Sequence, residues 1–375
     1  MKNSVCYISK IREIKPIENA DNIELALVEG WQCIVKKGEF KKDDNVILIT
    51  EGAIIPEDLA QSFGIKKYLH KDNTVHVVKL KGIYSECLIL PIDLIKDKIK
   101  DAVRKANIDY RKDLSDILNI YKPKQEKIIP DKKFLNDNEN FRIYYNIPNF
   151  KDVPNIFYKG ESLQITRKIH GTNARFGIVR KNKISLKDLF RYYIKRDKWA
   201  FFEYMVGSHK KILNLKSNSK NNNVYIEISK RLKIKKKLFE YVKYNEDPNK
   251  LVNFIIYGEI YGKGIQNNYT YSLKTTNLFC FDVMINDSYI KPNKAKEIVK
   301  KLDLEYIPVL EDDHTYTSID IIFDKYVKNA YFKNTRIPHE GVVVKSLDSV
   351  LPKYVKIKNP EFLIYTKSHN VSDYS

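Results

Sequence analysis

Cysteine is scarce in this chain. Four occur in 375 residues (Cys6, Cys33, Cys87 and Cys280), and no two have C-x-x-C spacing. That pattern excludes a zinc module and a disulfide framework. Each lies in an apolar run, so four buried free thiols in a reducing compartment are expected. Long hydrophobic runs are also missing. None approaches the roughly 20 residues that span a bilayer, and the opening MKNSVCYISKIREIK has no apolar core of a signal peptide. The expectation is an intracellular protein, cytoplasmic or nuclear, with no membrane partner. Acidic residues are outnumbered, 47 against 67 Lys and Arg, for a formal net charge of +20. Such a balance favours a polyanionic partner, nucleic acid or an anionic surface. The abundance of Lys, Ile, Asn and Tyr also fits an AT-rich genome, which inflates lysine with no function attached. A hydrophobic content of 43% with 12% aromatics excludes global disorder.

What is present falls into three stretches. Residues 1–95 read as five or six short strands separated by turn signals such as Asn19-Ala20-Asp21-Asn22 and Lys71-Asp72-Asn73, the pattern of a small β-barrel. The segment EIKPIENADNIELALVEGWQCIVKKGEF (13–40) resembles the opening of OB-fold nucleic-acid-binding modules, including the tRNA-binding kind. Trp31, Phe40 and Tyr68 with Lys36 and Lys37 would supply stacking and phosphate contacts there; a core role for Trp31 stays open. Residues 96–140 are highly charged, with weak amphipathic helices and late prolines at Pro123 and Pro130, and read as a linker. Residues 141–375 read as a mixed α/β domain, with helices expected at 187–205, 223–242 and 294–302. The segment RLKIKKKL (231–238) would track a nucleic-acid backbone or form a solvated helix face.

The chemistry lies in five motifs in fixed order. Lys168-Ile169-His170-Gly171-Thr172-Asn173 follows an apolar strand; GEIYGKGIQ (258–266), FCFDV (279–283), EGVVVK (340–345) and KIKNPEFL (356–363) come after it. A lysine amine is a nucleophile only when unprotonated, which burial and neighbouring cations favour. Arg167, Lys356 and Lys358 would be those cations if the motifs converge. Gly171 lets the turn after the lysine approach another group closely. Glu259 sits in an apolar run, where a lone carboxylate is costly unless paired. Lys356 and Lys358 alternate along a strand and so share a face.

Together these motifs resemble those of nick-sealing RNA ligases, covalent nucleotidyltransferases, in the branch with an N-terminal OB domain. The resemblance runs from about residue 5 to residue 363 and is weakest over 96–150. KIHGTN and PEFL match that branch more narrowly than the Lys-x-Asp-Gly pattern of DNA ligases and capping enzymes. The implied fold is a small all-β OB-type barrel followed by an α+β nucleotidyltransferase (ATP-grasp-like ligase) domain with antiparallel sheets. The implied activity is ATP-dependent joining of 3′-OH and 5′-phosphate ends, at nicks in duplexes, through a lysyl-AMP intermediate. Lys168 would be the adenylylated nucleophile, with His170 and Asn173 near the phosphates. Glu259 would accept from the ribose hydroxyls, and Phe281 would stack on adenine, with Phe279 as the alternative. Asp282 would support the site, and Glu340 would hold Mg²⁺ or Mn²⁺. Lys356 and Lys358 would contact the α-phosphate, and Ser208, His209 and Lys210 would contact RNA. The role of Lys345 is open. The implied partner is RNA in a nicked duplex or an RNA–DNA hybrid, engaged by a monomer. Two positions depart from the family: Arg167 stands where an acid is usual, and His209 where an arginine follows serine. They keep alive the alternative of a degenerate RNA-binding protein, beside those of a DNA ligase or a capping-type transferase.

Overall fold

The computed structural model describes residues 4–95, 110–122, 138–213, 215, 223–266, 269, 271, 273–333, 335–369 and 371. The chain divides into two compact units. One gathers Met1–Glu126, Asn149–Ile156 and Lys358–Ser368; the other gathers Lys127–Pro148, Phe157–Ile357 and His369–Ser375.

In the first unit, β1 (Cys6–Pro16), β2 (Ile23–Val28), β3 (Trp31–Lys36), β4 (Asn45–Thr50) and β7 (Cys87–Pro91) form one antiparallel sheet in the order β3-β2-β1-β4-β7. A short ribbon of β5 (Val78–Leu80) and β6 (Ile83–Ser85) precedes β7, and α1 (Glu57–Ser62) follows β4. β1 is long enough to serve both halves. Its first residues pair with β4, a bulge between Ile11 and Glu13 bends it, and its last residues pair with β2. The sheet curls until β3 meets the chain before β7: Glu86 N donates to Gln32 O at 2.9 Å and Ile34 N to Ser85 Oγ at 3.0 Å. This is the expected all-β barrel.

The sequence of β4, NVILIT, is apolar without alternation because both of its faces are covered. Val46 and Leu48 pack with Ile11, Val28, Trp31 and Phe40, while Ile47 and Ile49 pack with Leu59 and Leu90. The second cluster also contains Leu114, Leu118 and Ile120. Residues 110–122, placed in the charged linker by sequence, thus lie against β1. Arg111 N donates to Ile8 O at 2.8 Å and Leu114 N to Cys6 O at 2.8 Å. The remaining linker residues, 96–109 and 123–137 with Pro123 and Pro130, lie outside the described residues. Trp31 is buried, and Lys151 lies over its ring at 5.0 Å while pairing with Glu86 at 2.5 Å. Phe40 is core as well, which leaves only Tyr68 exposed among the candidate stackers. All four cysteines are buried and free. The last helix, α7 (Pro360–Ser368), belongs to this unit: Glu361 accepts from Lys79 and from Tyr84, each at 2.6 Å.

The second unit holds two antiparallel sheets. One runs β10-β9-β11-β12-β13, built from β9 (Thr172–Arg180), β10 (Phe202–Ser208), β11 (Asn253–Gly262), β12 (Thr276–Ile285) and β13 (Ser288–Tyr289). The other runs β14-β8-β15-β16, from β8 (Ser162–Lys168), β14 (Val309–Thr315), β15 (Gly341–Ser346) and β16 (Tyr354–Lys358). The helices α2 (Leu186–Tyr193), α3 (Val224–Arg231), α4 (Ile234–Asn245), α5 (Pro292–Lys301) and α6 (Ile319–Tyr326) complete it. Ile228 of α3, Leu238 and Val242 of α4 and Ile298 of α5 share one core with Phe176, Val206, Phe254 and Ile256 of the five-stranded sheet.

The helix expected at 187–205 stops at Tyr193, because Arg196 turns left-handed (φ 53°), Asp197 bonds Arg191, and β10 begins at Phe202. The one expected at 223–242 is two helices, broken where Lys233 takes φ 53°. The third begins two residues early, with Pro292 in its first turn. Among the described residues no helix is long and apolar enough to cross a membrane.

Candidate active site

β8 ends at Lys168 in the four-stranded sheet, and β9 starts at Thr172 in the five-stranded one. The KIHGTN turn is therefore the step from one sheet to the other. Gly171 makes that step possible: a Cβ there would strike the carbonyl of Ile260 on β11 and meet Glu259 Cγ at 2.9 Å. Gln266 donates to the Gly171 carbonyl, Tyr271 Oη accepts from His170 N at 2.5 Å, and Thr172 Oγ1 bonds Tyr225 Oη of α3 at 2.8 Å. The turn is held from three directions.

Strand register supplies the acids. Gly341 pairs with Lys168, so Glu340, one residue before it, meets the lysine: Nζ to Oε1 is 2.6 Å. His170 Nδ1 lies 3.8 Å from the other oxygen of Glu340. The charge touching Lys168 is thus a carboxylate rather than the expected cations. Alternation along β8 turns Arg167 to the opposite face, where it donates to Tyr326 O at 3.2 Å. On the five-stranded sheet Glu259 pairs across to Asn173 on one side and to Phe279 on the other. Burial pushes the Glu259 carboxyl up to about 8; the charge of Glu340 adds to this, while Lys168 and a backbone bond from Gly171 pull against it. Asn173 Oδ1 is buried without a hydrogen-bond partner, a group suited to a ligand's donor.

The aromatic wall comes from β12. A bulge opposite Tyr257 and Gly258 leaves Phe281 as the extra residue, since Tyr257 pairs with Asp282 and Gly258 with Cys280. Phe281 and Asp282 therefore both reach Tyr144: its ring lies edge-on to Phe281 at 4.9 Å, and its hydroxyl donates to Asp282 Oδ2 at 2.5 Å. Phe279 is stacked on Tyr261 at 4.7 Å. Lys345 Nζ reaches Asp282 Oδ2 at 3.2 Å. Burial raises the Asp282 carboxyl and lowers the Lys345 ammonium, each opposed by the other's charge. Lys356 is half-buried on β16, and its backbone N donates to Pro148 O at 2.9 Å; Lys358 is the buried last residue of that strand.

Lys168, His170, Asn173, Glu259 and Glu340 thus converge. Phe281 and Asp282 form the aromatic side with Tyr144. Ser208, His209 and Lys210 stand at the end of β10, where Ser208 Oγ caps Lys211 N at 3.2 Å and Lys210 is exposed. Burial lowers the His209 imidazole, and Arg175 and Lys210 lower it further. The basic segment 231–238 divides between α3 and α4, and Lys230, Lys233, Lys235 and Lys236 line a hollow of about 510 Å³ with Tyr204 and Phe239.

Sequence reasoning missed Arg175, Tyr144, Tyr225 and Tyr271. Only Arg175 carries a signal, a charge inside the apolar strand TNARFGIVR. Among the described residues no three His, Cys, Asp or Glu side chains group to hold a metal ion. Glu340 is a buried oxygen donor, which fits a hard cation that keeps waters and substrate oxygens for its other ligands.

An all-β barrel and an α+β unit with antiparallel sheets match the fold of a solved RNA ligase. The chain belongs to the RNA ligase family, whose profile matches residues 161–358, and an OB-fold domain profile matches residues 5–92. No curated protein matches the chain. Solved structures of Naegleria gruberi RNA ligase share its fold. A mutant with AMP and Mn has a TM-score of 0.72 and 22% identity over 97% of this chain and 99% of that one. A mutant with ATP and Mn has 0.71 and 22% over 97% and 99%. The ligase with PPi has 0.70 and 22% over 98% and 99%.

Proposed function

We propose that this protein is an ATP-dependent RNA ligase that works through a lysyl-AMP intermediate on Lys168. The observation that carries the reading is the pair of the half-buried Lys168 with the buried Glu340 at 2.6 Å, beside His170 and Asn173. Lys168 Nζ leaves that pair, passes a proton to solvent and attacks the α-phosphorus of ATP. The N–P bond forms as the bond to the β-phosphate oxygen breaks and pyrophosphate departs. Asn173 and His170 hold the phosphates; Lys356 and Lys358 stabilise charge on the α-phosphate. Glu259 meets the ribose hydroxyls, and the ring of Phe281 covers the adenine. Mg²⁺ or Mn²⁺, held by Glu340, would neutralise charge on the phosphates.

AMP then passes to an RNA 5′-phosphate, which frees Lys168. A 3′-OH attacks the activated end, forms the phosphodiester and expels AMP. In-line displacement needs both ends held, which a nicked duplex with an RNA 3′-OH strand provides. Residues 1–95 serve as the OB domain and residues 141–375 as the adenylyltransferase domain. Ser208, His209 and Lys210 contact RNA.

The test is incubation with α-labelled ATP and a divalent cation. The wild type acquires a covalent AMP and Lys168→Ala does not. A labelled Lys168→Ala protein would remove the nucleophile assignment. No label on the wild type would favour the binding-only reading. Sealing of nicked duplexes with each strand as RNA or DNA fixes the substrate.

A further inference from the structure

We propose that Lys345 is a positioning residue for the base-binding end of the pocket, tethering the bulged Phe281 by its carbonyl; this rests on the proposed role of Phe281 against the nucleobase. A bulged residue drops out of the strand ladder, so its carbonyl needs another donor. For Phe281 that donor is Lys345 Nζ at 2.5 Å, assisted by Tyr306 Oη at 3.2 Å. The second partner of the ammonium is Asp282 Oδ2 at 3.2 Å, the next residue along β12. Asp282 in turn accepts from Tyr144, whose ring edge touches Phe281. Phe281 is thereby fixed twice, at its carbonyl by Lys345 and at its ring by Tyr144.

Lys345 is suited to this task and to no direct one. It is 1% exposed, lies over the Tyr354 ring at 5.0 Å, and pairs across the strands with Gln164. Cross-strand partners share a face, so Lys345 lies on the Lys168 side of the four-stranded sheet. Two of its three donors go to Phe281 O and Asp282 Oδ2, so it acts through them. The contact joins the two sheets: β15 brings the lysine, β12 the bulge. A neutral donor would satisfy the carbonyl alone. An ammonium also fixes Asp282, and a charge-assisted bond to a buried partner is short and directional.

The test separates positioning from mere stability by using the whole chain in three forms: wild type, Lys345→Met, and Lys345→Met with Asp282→Asn. Lys345→Met strands a buried carboxylate and should melt well below wild type. The double variant leaves no buried charge and should recover most of the lost melting temperature. Its KM for ATP in lysine adenylylation should nevertheless stay raised by about tenfold, with kcat changed much less, and its preference for ATP over GTP should narrow, because the Phe281 carbonyl keeps only its bond from Tyr306. A double variant with wild-type KM and wild-type base preference would overturn the proposal and leave the pair a structural one. Should Lys345→Met be unfolded at the assay temperature, the double variant carries the test alone. Failure of the underlying reading looks different: the wild type takes no label, or Phe281→Ala keeps the wild-type KM for ATP.

Discussion

Glu259 is an acid that its surroundings favour in the neutral form. Burial is the main cause and the charge of Glu340 the second, and together they outweigh Lys168 and the backbone of Gly171 to reach about 8. A carboxyl with a folded pKa above its unfolded one binds its proton more tightly in the folded state. The fold therefore loses stability from this group as pH rises from the ordinary carboxylate range through about 8. Glutamine mimics the neutral form and escapes that loss. Glu259→Gln is expected to melt a few degrees above the wild type near pH 8 and level with it near pH 5, since 1 kcal/mol moves Tm by about 2–4 °C in a domain of this size. Melting curves of both proteins without nucleotide, across that range, check it. A difference independent of pH would mean that Glu259 is ionised in the resting fold. If Glu259 meets the ribose as proposed, ATP-dependent labelling should fall in the variant, because an amide replaces the carboxyl group there.

At the scale of elements, the end of β10 depends on a charge buried beneath it. Arg175 is 2% exposed; its Nε donates to Ser208 O at 3.1 Å, its Nη1 donates to Phe141 O, and the guanidinium lies 4.4 Å from the Phe141 ring. Methionine there would fill similar space and leave two carbonyls without these donors. The expected cost of Arg175→Met is about 2–4 kcal/mol, read as a lower Tm. The Ser208–Lys211 turn would loosen with it, so nick sealing should fall further than ATP-dependent labelling of Lys168. Equal loss of both would make Arg175 a general brace rather than a support for the RNA side.

This pair also marks where the sequence stops being readable. Lys168, Glu259, Phe281 and Glu340 could be picked out as candidates because each sits in a short motif that carries the family resemblance. Their supports were not, because they depend on strand register. Tyr144 reaches Asp282 across 138 residues, and the bulge that aims Phe281 leaves no mark in FCFDV. Arg167 shows the same limit from the other side. It stood beside Lys168 in sequence, but strand alternation points it away. The mixed apolar and charged stretch after Leu186 fitted a long helix as well as a helix followed by a strand, and periodicity alone does not separate the two.

At the scale of the whole molecule the open quantity is the charge of +20. Two explanations compete, a polyanionic ligand or an AT-rich genome that inflates lysine, and they differ in how the cations act. Many of the ion pairs are surface contacts with both partners well exposed, such as Lys236–Glu240 and Lys328–Asp324; each contributes little to stability. The cations around the α3–α4 hollow are exposed and of one sign. If RNA is the ligand, each phosphate neutralised releases counterions. The logarithm of the dissociation constant then rises with the logarithm of salt by about 0.9 per phosphate on a duplex. We expect a slope of about 4 or more for a nicked RNA duplex, measured by fluorescence anisotropy between roughly 50 and 200 mM KCl. Covalent labelling by ATP, which involves one nucleotide, should respond far less over the same range. A duplex slope near 1 would assign the excess charge to composition and leave RNA binding to the few residues around Lys168.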